Sequence, residues 1–271
     1  MWRVVLLGLL GWAGTAPADE LALRGEPIQG GLLFGQAAPG SVVRLDERAL
    51  RLSADGRFVL GFGRDAPGFA ELEVRLPDGR ILRRTLAVAA RDYEVQRIDG
   101  LPPAQVTPRT PEQIARIEAD AQLLDEARGR NSALLGFTEP VAWPVTGRIS
   151  GIYGSQRILN GEPRSPHRGV DVAAPAGTPV GAMASGVVSL AETGMYFTGG
   201  TVMVDHGHGV HSLYSHLAEV QVTPGQSIGE GEILGTVGAT GRATGPHLHW
   251  GVYWFGEAVD PALLVGPMPD S

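Results

Sequence analysis

All seven histidines of this 271-residue chain (His167, His206, His208, His211, His216, His247 and His249) follow position 166. The chain has no cysteine, so any metal must be held by His, Asp or Glu. Two spacings have the form of metal ligation. His167-Arg168-Gly169-Val170-Asp171 is H-x-x-x-D, and His247-Leu248-His249 is H-x-H. On an extended strand, residues i and i+2 share a face, so the two imidazoles of an H-x-H pair can converge on one point. Imidazole nitrogens with one carboxylate suit Zn²⁺, and three protein ligands leave a fourth position for water, the arrangement of catalytic sites. Such a water ionises near neutral pH and becomes a nucleophile. A competing pair, His206-Gly207-His208, follows Asp205, but flanking glycines make Asp205–Gly209 read as a tight turn between strands Thr201–Val204 and Val210–Tyr214. His211 then falls on the second of those strands. No H-E-x-x-H motif supplies a glutamate base. The general base must come from histidines that are not ligands: His216, or one member of the H-x-H pair.

These residues need rigid elements beneath them, and the composition points to β-structure. Gly (39) and Pro (20) are abundant without a G-X-Y period, which excludes collagen and implies many turns. With 43% hydrophobic and 19% charged residues the chain can bury a sizeable core. A net charge of −7, with arginine as the only strongly basic residue type, argues against a nucleic-acid partner. The segment 20–98 alternates apolar and polar residues in short runs such as Val43-Arg44-Leu45, Phe58-Val59-Leu60 and Leu72–Leu76. Asp55-Gly56 and Asp78-Gly79 supply turns between them, and together these predict a small antiparallel sandwich. A linker with Pro102, Pro103 and Pro108 opens the 99–134 connection. Thr110, Pro111 and Gln113 then form a capping signature for a helix with Ile114, Ile117, Ala121 and Leu124 on its docking face and Gly129 as its stop. The remainder, 135–271, reads as a second all-β domain of short glycine-punctuated strands. At the N-terminus, Arg3, an apolar run from Val4 to Ala13 and Ala16-Pro17-Ala18 predict a secretory signal over 1–18. That run is too short to span a bilayer, and no longer one follows.

The series HRGVD (167–171), APAGTPV (174–180), DHGHG (205–209), LYSHL (213–217) and VTPGQSIGEGEILGTVGATGRATGPHLHWGV (222–252) resembles the lysostaphin-type (LytM-like) zinc endopeptidases of bacterial cell walls. The likeness covers Gly147 to Pro261 in order and spacing. It implies a compact, mostly antiparallel β-domain with a narrow groove and one zinc ion per chain. His167, Asp171 and His249 are then the ligands, and His216 and His247 the non-ligand catalytic histidines. Arg157 and Asn160, in the stretch that forms a groove wall in that family, are candidate substrate-binding residues; closing a loop is the competing role for both. The implied substrate is the peptide stems and cross-links of peptidoglycan, and the implied compartment is the periplasm or cell envelope. The N-terminal β-domain is then a positioning unit or a docking site for a protein regulator, and the linker helix a candidate autoinhibitory shield. The competing expectation is a zinc-bearing, non-catalytic activator of another wall hydrolase, against which both non-ligand histidines speak.

Overall fold

The computed structural model describes residues 20–99 and 110–269. The predicted signal over 1–18 and the prolines of the linker lie outside the described residues. The chain is mostly β, as its composition predicts. Strands β1 (Leu21–Arg24), β2 (Leu32–Ala37), β3 (Val42–Leu45), β4 (Arg48–Leu50), β5 (Arg57–Gly61), β6 (Phe69–Arg75) and β7 (Ile81–Ala87) make two antiparallel sheets, ordered β1-β2-β5 and β4-β3-β6-β7. Alternation sets their faces: along β6, Ala70, Leu72 and Val74 are buried while Phe69, Glu71 and Arg75 are exposed. Asp55-Gly56 and Asp78-Gly79 lie between β4 and β5 and between β6 and β7, where their turn chemistry belongs.

Strand β8 (Val95–Ile98) leaves this unit and pairs in parallel with β10 (Gln156–Leu159), which forms a hairpin with β11 (Glu162–Pro163). The second half is organised on a ten-stranded sheet. It comprises β9 (Arg148–Gly151), β12 (Val170–Ala173), β13 (Pro179–Gly181), β14 (Gly186–Met195), β15 (Gly199–Gly207), β16 (Val210–Val220), β17 (Ser227–Ile228), β18 (Ile233–Val237), β19 (Leu248–Trp254) and β20 (Glu257–Val259). The central path runs β17-β14-β15-β16-β19-β12-β9, with β9 at its edge. All of β15 is buried, as are the first eight residues of β16, so polar side chains such as His206, His211, Ser212 and Ser215 lie inside the sheet among apolar ones.

Both halves feed a single apolar cluster. Leu33, Phe58, Leu60 and Leu72 belong to it, and so do Val172, Tyr214, Trp250 and Val252. Polar contacts reinforce the junction: Arg91 pairs with the buried Asp260 at 2.8 Å, and the Asp260 amide donates to Gly30 O at 2.7 Å.

Helix α1 (Pro111–Arg128) starts as predicted, with the reciprocal Thr110–Gln113 capping box and Pro111 at its first position. Gly129 ends it in a right-handed conformation, φ −75°, donating to Asp125 O. The docking face differs from the periodicity's expectation. Ala127 is buried and Leu124 half-buried, against Leu190, Met203 and Tyr253, whereas Ile114 and Ala121 are exposed. Apolar packing involves only the last turn and a half. Farther toward the N-terminus the helix is fixed by polar groups: Arg116 donates to Gly194 O, and Asp120 accepts from the Tyr196 amide at 2.6 Å. None of the helices among the described residues is long and apolar enough to cross a membrane.

Candidate metal centre

Antiparallel pairing of β12 with β19 sets Asp171 directly opposite His249. Side chains opposite each other on one sheet face are near neighbours, so the ladder alone brings this carboxylate to this imidazole. His167 enters from the loop before β12. The contacting atoms form a small triangle: His249 Nδ1 lies 2.8 Å from Asp171 Oδ1, His167 Nε2 lies 3.0 Å from the same oxygen, and the two nitrogens are 3.0 Å apart. Among the described residues this is the one His/Asp/Glu group of three or more able to hold a metal. The side chains of His167, Asp171 and His249 keep 22%, 23% and 14% of their exposure, so the cluster is recessed but open on one side.

Gly151, opposite Asp171 on the edge strand, has no side chain for a local reason. A Cβ there would lie 2.3 Å from Asp171 Oδ2. Burial alone would raise the Asp171 pKa, but hydrogen bonds from His167 and His249 outweigh it and hold the carboxyl far below the usual range. Burial pushes His249 toward its neutral form. In His167 burial acts the same way but is overcome by the bond to Asp171, and its pKa rises.

The donor set fits a small divalent cation. Tetrahedral ligands at 2.0–2.1 Å from an ion stand about 3.3 Å apart, close to the spacing seen. His167 Nδ1–H donates to Ile152 O at 3.0 Å, which in the neutral ring leaves the Nε2 lone pair facing the cluster, the outer-shell arrangement that orients a ligating imidazole.

Two further histidines flank the cluster. His216 follows Ser215, which pairs with His249 across β16 and β19. Its φ of +64° is a left-handed conformation rare for a side-chain-bearing residue, at a point where the β16 pairings slip. Its Nδ1–H donates to Thr240 O at 2.8 Å, and its amide to Thr198 O at 2.8 Å. Burial lowers its pKa to about 4. His247 donates Nδ1–H to Gly245 O at 2.8 Å, and its Nε2 is 4.0 Å from Asp171 Oδ1. The His216 and His247 rings are 4.6 Å apart, and His216 lies 6.3 Å from the His249 ring.

Comparison with known proteins places this arrangement. Residues 165–261 match the sequence profile of peptidase family M23. A crystal structure from Pseudomonas aeruginosa described as peptidase M23 is 32% identical, with a TM-score of 0.67 over 89% of this chain and 96% of that one. The chain belongs to peptidase family M23. A DD-carboxypeptidase/endopeptidase of Neisseria meningitidis is 38% identical over 154 residues, 56% of this M23 chain and 33% of that protein. A peptidoglycan DD-endopeptidase of Vibrio cholerae is 31% identical over 233 residues, 80% of this chain and 53% of that protein. The chain therefore spans a third of the Neisseria relative's length and about half of the Vibrio relative's.

Other sequence candidates of the M23 chain fall elsewhere. The turn between β15 and β16 is tighter than the predicted Asp205–Gly209: strand pairing continues to Gly207 and Val210, leaving only His208 (φ +54°) and Gly209 (φ +80°) between them. His206 and His211 are fully buried. Arg157 is exposed on β10, and Asn160 (φ +51°) with Gly161 (φ +81°) makes the two-residue β10–β11 turn. The structure thus accounts for Asn160 by its role in closing a hairpin. Ile152 and Thr240 do not stand out in the sequence. They act through backbone carbonyls, which every residue type carries, so no residue-type signal could single them out.

Proposed function

We propose that this M23 chain is a zinc-dependent endopeptidase that hydrolyses peptide cross-links of bacterial peptidoglycan in the cell envelope. The observation that carries this is the convergence of His167 Nε2, Asp171 Oδ1 and His249 Nδ1 within 3.0 Å of one another, with His216 and His247 beside them. The names of the Neisseria and Vibrio relatives support the substrate class. His167, Asp171 and His249 would hold the zinc. When bound, the ion supplies Lewis-acid polarisation of a scissile carbonyl and acidifies a water.

The protein's own groups do the rest. His216, its Nδ1–H committed to Thr240 O, keeps Nε2 as its basic nitrogen and is neutral at physiological pH, the form that accepts a proton from an attacking water. His247, oriented by Gly245 O, offers a second imidazole to the developing oxyanion or the leaving amine. Arg157, exposed on the hairpin that leads into His167, offers a guanidinium to a stem-peptide carboxylate. The test is digestion of purified peptidoglycan with mass analysis of the released muropeptides. Cross-linked dimers should fall to monomers. Chelator should abolish turnover and added zinc restore it, and His249→Ala should stay inactive in both. Turnover surviving chelator and this substitution would reject the mechanism.

A further inference from the structure

His167 is gripped by one short segment. Ile152 O accepts from its ring at 3.0 Å, the Gly154 amide donates to His167 O at 2.9 Å, and Ser155 O accepts from the His167 amide at 2.8 Å. Ring and backbone of this side chain therefore follow wherever residues 152–155 go. The far side of the segment is held by the N-terminal β-unit. Arg64, in the turn after β5, donates Nε–H to Gly154 O at 2.8 Å. Its guanidinium carbon lies 4.5 Å over the Tyr93 ring. That ring fills the space beside Gly154, where a Cβ would come within 2.1 Å of Tyr93 Cδ1. The Gln156 amide donates to Glu94 O at 2.9 Å, continuing the same attachment. Arg64 is largely enclosed, with 18% of its side chain exposed, so its bond to Gly154 O is shielded from water.

We propose that Arg64 and Tyr93 are positioning residues of the metal centre: through Gly154 the N-terminal β-unit fixes the segment that orients His167. This rests on the reading of His167 as a zinc ligand. Groups that orient a ligating histidine typically influence metal affinity by 10–100-fold. Acting one step farther out, Arg64 and Tyr93 belong at the low end of that range.

The experiment is zinc affinity of the full chain, measured by competition with a chromogenic chelator, with melting temperature recorded in parallel. Arg64→Met and Tyr93→Leu, which keep apolar bulk, should each weaken zinc binding about tenfold. Tyr93→Phe should bind as wild type, because the ring and not the hydroxyl packs on Gly154. Arg48→Ala is the control. Arg48 also bridges the two halves, lying 5.5 Å from the Trp254 ring and 4.7 Å from the Phe255 ring, at contacts separate from Gly154. It should lower the melting temperature with affinity unchanged. Wild-type affinity in Arg64→Met and Tyr93→Leu overturns the proposal, as does a loss in Arg48→Ala matching theirs at equal loss of melting temperature. A wild-type chain that binds no zinc overturns the underlying ligand assignment instead.

Discussion

His206 shows how one residue type serves two purposes in this chain. It is fully buried, donates Nδ1–H to Ser185 O at 2.8 Å and meets Ser212 Oγ with Nε2 at 2.7 Å; Ser212 Oγ in turn lies 3.0 Å from the Tyr214 hydroxyl. Desolvation lowers its pKa from 6.5 to about 4. The unfolded chain therefore takes up a proton near pH 6.5 that the folded chain refuses until about pH 4. The stability this produces is complete above pH 6.5 and is lost as pH falls toward 4, and it amounts to about 3 kcal/mol. His208 and His211, lowered by the same cause, act in the same direction. Urea denaturation in chelator should show stability dropping between pH 7 and pH 5, with a shallower slope in His206→Gln; equal slopes would dispose of the assignment. At this scale the site was largely legible. His167, Asp171, His216, His247 and His249 are side chains whose spacing and resemblance single them out, and the structure gathers all five. What orients them was not legible, because the carbonyls of Ile152, Thr240 and Gly245 leave no trace in residue type.

Among the elements, helix α1 holds the tip of the β14–β15 hairpin, and that tip in turn holds the His216 backbone. Asp120 accepts from the Tyr196 amide at the hairpin tip, and Thr198 O, two residues on, accepts from the His216 amide at 2.8 Å. A helix that touches no part of the metal cluster thereby steadies a strained histidine beside it. Asp120→Ala should reduce kcat about tenfold, since sub-ångström misplacement of a catalytic group is costly, while KM and zinc affinity stay near wild type. Unchanged kcat, or a parallel loss of metal, would refute this. Capping made the helix's start predictable from Thr110, Pro111 and Gln113, because those contacts are local. Its docking face was not predictable: Ile114, Ile117, Ala121 and Leu124 recur at helical spacing, yet tertiary geometry brings apolar cover only to Leu124 and Ala127. Strand pairing in the N-terminal unit followed the alternation. The parallel pairing of β8 with β10 did not, since it joins segments about 60 positions apart and carries no local pattern.

Taken as a whole, the N-terminal β-unit is packed into the rest of the molecule and is not an appendage. Gly61 of β5 packs against Trp254 of β19, where a Cβ would meet Trp254 Cβ at 3.0 Å, and the same apolar cluster runs from Phe58 to Trp250. An interface this continuous couples the halves thermodynamically, so the chain should unfold in one transition whose calorimetric and van't Hoff enthalpies agree. Phe58→Ala, deep in the N-terminal sheets, should cost about 3–5 kcal/mol and lower that single transition rather than melt one half alone. Metal supplies the converse perturbation. Zinc at 100 times its dissociation constant stabilises the folded state by about 2.7 kcal/mol. Because His167, Asp171 and His249 lie in the second half, an independent N-terminal unit would not feel it. Scanning calorimetry with and without zinc, on wild type and Phe58→Ala, separates the cases: a coupled molecule shows one peak that zinc moves upward in both proteins. Two resolved peaks, with zinc moving one and Phe58→Ala moving the other, would mean that the N-terminal unit is a separable module, and a contact from Arg64 to Gly154 could not then hold the metal centre in register.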